Sequence, residues 1–95
     1  MDTTDPECVN LPRDISRTVE LGTPGTEVSW TEPSCSDVSG TAFFSIRSHT
    51  PPSFFAVGMS IVSYTCADMS GNTNTCTFSV TVSTGKIDLK KLLKS

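Results

Sequence analysis

Four cysteines in a chain of 95 residues constrain this protein more than any other feature. A chain this short buries only a modest core, and cysteines at such density read as disulfide reinforcement. Two of them open copies of one hexapeptide, Cys-x-Asp-x-Ser-Gly. It runs from Cys35 to Gly40 (CSDVSG) and again from Cys66 to Gly71 (CADMSG). Each copy follows a stretch that reads as a β-strand, and each ends in turn residues. A bond between Cys35 and Cys66 would set the two turns side by side at one end of a small β-domain. Zinc is the competing use of four cysteines. It is usually held by pairs at C-x₂₋₄-C spacing, whereas the closest pair here, Cys66 and Cys76, is ten positions apart and the lone His49 is remote from both. Four cysteines allow three disulfide pairings, and the sequence pattern alone leaves all three open.

The residues between the cysteines are those of strands. Val, Thr, Ser and Phe dominate, and helix formers are sparse before residue 86. Alternation marks Arg17 to Leu21, with Val19 and Leu21 on one face. Thr23-Pro24-Gly25 reads as a turn. Thr26 to Thr31 alternates again, with Val28 and Trp30 together, and Glu32-Pro33-Ser34 ends that strand. In Thr41 to Ser48, Ala42, Phe44 and Ile46 share one face, while Phe43 and Arg47 fall on the other. Phe54, Phe55 and Val57 form a short apolar piece ended by Gly58. Val62, Tyr64 and Cys66 share a face in Ser60 to Cys66. Thr75 to Ser83 alternates most cleanly, with Cys76, Phe78, Val80 and Val82 facing one way and hydroxyls the other. Six or seven short strands with turn signals between them predict an antiparallel β-sandwich, with Trp30 between its sheets.

The flanks differ from this body. Residues 1–7 read as a linker or expression start, and residues 84–95 as a basic tail. There Leu89, Leu92 and Leu93 can share a helical face opposite lysines. That tail is read as a terminal helix, a linker to a further domain, or an expression-derived segment. No signal peptide is evident, so a secreted protein of this sequence would be a piece of a longer precursor. No run is long enough to span a membrane as a helix, which predicts no membrane insertion. The net charge is −3, and the last ten residues carry Lys86, Lys90, Lys91 and Lys94 against Asp88. The rest of the chain is therefore more acidic than the total, which argues against a nucleic-acid partner.

Read in order, Val28-Ser-Trp-Thr-Glu-Pro33, Ser36-Asp-Val-Ser-Gly40, Ser48-His49, Phe54-Phe-Ala-Val-Gly58, Val62-Ser-Tyr-Thr65, Asp68-Met-Ser-Gly-Asn72 and Thr75-Cys-Thr-Phe-Ser-Val-Thr-Val82 resemble the hyalin repeat, or HYR domain. The resemblance covers Cys8 to Val82, and the module is expected over residues 8–83. It implies an immunoglobulin-like β-sandwich of about seven strands. It also implies a secreted, extracellular setting and a non-catalytic role in cell adhesion and matrix assembly. Partners would be extracellular proteins or neighbouring modules of the same chain, and no cofactor is expected. In that family a cysteine near the start pairs with one in the last strand, and Cys8 and Cys76 match those positions. Cys35 and Cys66 stand where cysteine is often absent, which suggests a second bridge between them. Ala56 and Pro52 depart from the usual proline and glycine of the family.

Candidate sites weigh lightly against these structural roles. Asp37 and Asp68 read as turn formers, since an Asp side chain accepts a local N–H and the glycine three residues on supplies positive φ. The alternative is a calcium site shared by Asp37 and Asp68, with Glu32 as a third carboxylate. His49 reads as a loop residue making local hydrogen bonds, because nothing resembles a nucleophile elbow or a phosphate loop. Phe43 and Ile61 break the alternation of their strands. Phe43 reads as a cover for the sheet's outer face under the neighbouring loop; in the alternative reading it and Ile61, with Arg47, are candidates for an adhesive face, since aromatic residues and arginine are enriched at binding hot spots. No Asn-x-Ser/Thr acceptor of ordinary type follows Asn10, Asn72 or Asn74. Two other readings are compatible with parts of the pattern: a fibronectin type III-like receptor domain, and a secreted carbohydrate-binding domain or enzyme fragment.

Overall fold

The computed structural model describes residues 5–37 and 41–85. Val38 to Gly40 and the tail from Lys86 onward lie outside them. The regular structure of the described residues is all strand: β1 Glu7–Val9, β2 Ile15–Val19, β3 Gly25–Val28, β4 Ser34–Ser36, β5 Ala42–Arg47, β6 Ser53–Ala56, β7 Gly58–Asp68 and β8 Thr73–Thr84. One sheet has the order β2-β8-β7-β5, and β3 pairs with β6 in a second. β1 pairs with β4 in a third, two-stranded piece. β7 and β8 form the spine, antiparallel from Gly58↔Val82 to Ala67↔Thr73. β2 joins β8 in parallel, so the sandwich is antiparallel except along this edge.

The period-2 pattern explains the core. Val62 and Tyr64 of β7, with Phe78, Val80 and Val82 of β8, point inward from the large sheet. Val28 of β3 and Phe55 of β6 meet them from the small one. Burial of these side chains is worth about 1.5–3 kcal/mol each. Leu11, Ile15, Val19, Trp30, Phe44 and Cys76 pack around this cluster. Trp30 sits between the sheets as expected. Its ring lies 5.9 Å from that of Phe55 and meets Phe78 edge-on at 5.5 Å.

Three local expectations are corrected. The chain turns at Leu21-Gly22, not at Thr23-Pro24-Gly25. Thr23 N–H donates to the Glu20 carbonyl at 3.0 Å, and Gly22 takes a φ of 94°. Leu21 is therefore a turn residue exposed to solvent, not a core partner of Val19. Gly25 instead opens β3, opposite Ala56. The third correction lies in β5, where the register slips between Phe44 and Ile46. Phe44 stands opposite Cys66, Ile46 opposite Thr65 and Arg47 opposite Tyr64. Ser45 is the extra residue of this bulge, and beyond it every side chain changes face. Ile46, expected inside, points outward. Arg47, expected outside with Phe43, turns toward the inner side.

Candidate interaction surface

The cysteines gather at one end of the sandwich. The β1–β4 ladder sets Cys8 directly opposite Cys35. Each is bonded to one strand of the spine: Cys8 to Cys76 with Cα atoms 6.5 Å apart, and Cys35 to Cys66 at 5.7 Å. The pairing implied by the family resemblance is thus the one observed. Cys8 Sγ lies 3.5 Å from Cys66 Sγ, so the two bridges touch. They fasten the small β1–β4 ribbon to the ends of β7 and β8.

The second Cys-x-Asp-x-Ser-Gly copy folds as the turn its residues predict. One carboxylate oxygen of Asp68 accepts the Ser70 and Asn72 backbone N–H groups, each at 2.9 Å. The other accepts the Asn72 side-chain amide at 3.0 Å. Gly71 supplies a φ of 88° and donates its N–H to the Asp68 carbonyl. Asp68 is buried within this ring of donors. Asp37 follows Cys35 and is half-buried, but the rest of its turn lies outside the described residues. Among the described residues no three metal-ligating side chains converge.

His49 lies in the β5–β6 loop. Its Nδ1 is 2.7 Å from the Ser48 hydroxyl, which accepts the Ser63 N–H at 2.8 Å. Its ring lies against Phe55 at 5.0 Å. The histidine therefore fastens the loop to the spine.

A polar chain that no single segment revealed crosses the other flank of the core. Trp30 Nε1–H donates to Tyr64 Oη at 2.7 Å, and Tyr64 Oη–H donates to Glu32 Oε2 at 3.1 Å. The same carboxylate oxygen takes an ion pair from Arg47 Nε at 3.0 Å. The Arg47 guanidinium covers the Phe44 ring at 4.8 Å, and Phe44 in turn packs at a tilt against Tyr64, with ring centroids 5.0 Å apart. Burial raises the Tyr64 phenol above its ordinary pKa. The Trp30 N–H opposes that rise, while the hydrogen bond to Glu32 and the charge of Glu32 reinforce it. The bulge at Ser45 makes this arrangement possible, because it brings Arg47 round to Glu32.

The outer face of the large sheet is chemically unlike the rest of the surface. β8 contributes Thr73, Thr75, Thr77, Ser79, Thr81 and Ser83, and β2 contributes Ser16 and Thr18. Thr65 and Thr75 hydroxyls bond across β7 and β8 at 2.9 Å. The remaining exposed positions are apolar: Phe43 (44% exposed), Ile46 (62%), Met59 (70%) and Ile61 (50%). No strand residue directed to this face is charged. The Asp14 carboxylate, just before β2, accepts the Ser79 N–H. Phe43 and Ile61 both lie on this face but are not adjacent. Phe43 stands opposite Ala67, six residues along β7 from Ile61, or about 20 Å at the usual strand rise. Arg47 stands at the flank, engaged with Glu32. Ile46 and Met59 were missed as surface residues. The bulge hid the first, and the second lay ahead of the expected start of its strand.

A small β-sandwich closed by two touching disulfides is an extracellular type of domain, since such bridges persist in oxidising compartments. Comparison with known proteins agrees. The family model for the HYR domain matches residues 1–82. Hyalin of Lytechinus variegatus is 46% identical over 80 residues, covering 83% of this chain and 15% of that protein. Hyalin of Strongylocentrotus purpuratus is 44% identical over 82 residues, covering 85% of this chain and 7% of that protein. The "Sushi, von Willebrand factor type A, EGF and pentraxin domain-containing protein 1" of Rattus norvegicus is 34% identical over 77 residues, 78% of this chain and 2% of that protein. No solved structure matches. The chain belongs to the HYR domain family. It spans 15% or less of the length of these relatives.

Proposed function

We propose that this chain is a non-catalytic adhesion module of a larger extracellular protein, acting by protein–protein contact through the outer face of its four-stranded sheet. The observation that carries this reading is the composition of that face. Charged residues are depleted at interface cores and aromatic and other large apolar side chains are retained there. This face has exposed Phe43, Ile46, Met59 and Ile61 and no charged strand residue. Residues 8–83 form the module in this reading, with 1–7 and 84–95 as its connections to neighbours. The third relative's name is itself an inventory of modules, which supports a place in a multidomain chain.

The test is attachment of cells and of purified extracellular proteins to the immobilised, oxidised module. A Phe43→Ser/Ile61→Ser variant should lose most of the binding, as truncation of hot-spot side chains costs about 2 kcal/mol or more. Arg47→Ala should weaken it less, because Arg47 stands at the flank. Binding that survives the double substitution intact would place the contact elsewhere. A blank glycan array and hydrolase screen are expected alongside.

A further inference from the structure

We infer that the partner of this face is a second copy of the same module, docked face to face about a two-fold axis that crosses β7 at Ser63. The inference rests on the adhesion reading and specifies its partner. It follows from the register of the apolar residues. On β7, Ile61 and Met59 lie two and four residues to one side of Ser63. On the other side, Ile46 lies opposite Thr65 and Phe43 opposite Ala67, again two and four residues away. The four exposed apolar side chains are thus placed symmetrically about Ser63, displaced by one strand between the two halves. A two-fold axis in the plane of the face and perpendicular to the strands lays β7 over β7, with the hydroxyl lane of β8 likewise self-matched about Thr77. It brings Ile61 of one copy toward Ile46 of the other, and Met59 toward Phe43. The lateral offset of one strand, about 4.8 Å, is what side chains need to interdigitate between stacked sheets about 10 Å apart.

Charge selects the same partner. Residues 5–85 carry Asp and Glu at eight positions against Arg13, Arg17 and Arg47. Two like-charged copies repel on most approaches, and the uncharged face is the one through which they meet without opposing like charges. The patch runs about 26 Å along β7 and β8, with β5 and β2 flanking only its opposite ends, near ~350 Å² per copy. A pair therefore buries about 700 Å², in the range of weak encounters, so one module associates weakly and transiently. Several modules in one chain would multiply that contact through effective concentration.

Sedimentation equilibrium of the oxidised module from about 20 µM to about 1 mM covers the affinity range expected of such a contact. The average mass should rise with concentration from the monomer value of 10.2 kDa, and rise further with added salt as repulsion is screened. Ile46→Lys and Ile61→Glu should each remain monomeric while keeping the wild-type melting temperature, since both side chains point into solvent. An equimolar mixture of the two should associate again, because the new lysine of one copy meets the new glutamate of the other. A wild-type module that stays monomeric throughout overturns the inference, as does a mixture no more associated than its separate components. Monomeric protein whose cell attachment still depends on Phe43 overturns the inference and leaves the adhesion reading standing. Self-association without attachment of cells or extracellular proteins supports the inference and removes that reading.

Discussion

Tyr64→Phe tests the polar chain that crosses the core. The substitution keeps the ring, its tilted contact with Phe44 and its burial, and removes only the hydroxyl. The Trp30 N–H then loses an acceptor at 2.7 Å, and Glu32 loses a donor at 3.1 Å while keeping Arg47. A donor left unsatisfied in a buried setting costs about 1–3 kcal/mol, and about 2 kcal/mol is expected here. The Glu32–Arg47 pair adds little to that figure, since both side chains are more than a quarter exposed. For a domain of this size, about 2 kcal/mol lowers the melting temperature by roughly 8–16 °C. Denaturant unfolding of the oxidised protein, followed by circular dichroism, should show a lower midpoint with an unchanged slope. Trp30→Phe and the double variant complete a cycle, with a coupling of about 1 kcal/mol or more expected between contacting partners. A Tyr64→Phe cost within about 0.5 kcal/mol of zero, or strict additivity in the cycle, would refute the reasoning.

The same hydroxyl gives a pH signature. Burial raises the Tyr64 pKa in the folded state, so the folded protein holds this proton more tightly than the unfolded chain does. Its contribution to stability is complete below the unfolded value of about 10 and is lost as pH climbs through the folded value. Tyr64 is the only tyrosine, so phenolate absorbance reads it without interference. The folded midpoint should lie above that of the denatured protein, and Tyr64→Phe should lose this alkaline limb of the stability curve.

The other predictions concern stability at separate points of the fold. Gly25→Ala should cost about 1–3 kcal/mol by thermal melting, because a Cβ there would run into the Phe55 carbonyl, the Phe54 ring and Ala56 Cα. Replacing the Cys35–Cys66 bridge by alanines should cost about 3–4 kcal/mol, and replacing Cys8–Cys76 slightly more, since it closes 68 residues against 31. Reduction of both should unfold the domain, and a reduced protein with an unchanged melting temperature would contradict this. Asp68→Ala should cost about 2–3 kcal/mol by removing the acceptor of two backbone N–H groups, with Asp68→Asn milder. In a calcium titration the Ser70 and Asn72 amide resonances should stay in place, and movement of both would reassign Asp68 to a cation.

What the sequence made legible was what local pattern encodes. Thr73 to Thr84 is paired with β7 along most of its length and with β2 from Val80 onward, without a bulge, so its period of two survives intact, and its inward set could be read directly. β7 was legible for the same reason. β5 was not, because a bulge leaves no compositional mark. Ser45 looks like any outward polar residue, yet it reverses the faces of Ile46 and Arg47. The turn at Leu21-Gly22 lost to Thr23-Pro24-Gly25 because Pro-Gly is the stronger local signal, although Gly25 is needed for close strand approach. The chain from Trp30 through Tyr64 and Glu32 to Arg47 could not be seen at all. Its hydrogen bonds span 34 and 32 residues, and none of its members is unusual where it stands.

The two kinds of feature bear on each other. A domain of this size has a shallow store of core burial, and an exposed apolar face adds nothing to it. The described structure holds itself together from the inner side and from one end. Touching disulfides fasten β1 and β4 to the spine, and the Trp30–Tyr64–Glu32–Arg47 chain fastens the segment between β3 and β4 to β5 and β7. None of these fastenings uses a side chain on the outer face of the large sheet. That face is thereby released from the task of stabilising the fold, and its residues can be exchanged without unfolding the module. The bulge at Ser45 links the two halves of this division, because one extra residue turns Arg47 into the internal chain and Ile46 out onto the face. Deleting Ser45 should leave both in place, because only the unpaired residue is lost and Ile46 already stands opposite Thr65 and Arg47 opposite Tyr64. Stability and association should both stay near the wild-type level in that variant, whereas Ile46→Lys should lower association alone. A loss of both on deletion would contradict this register.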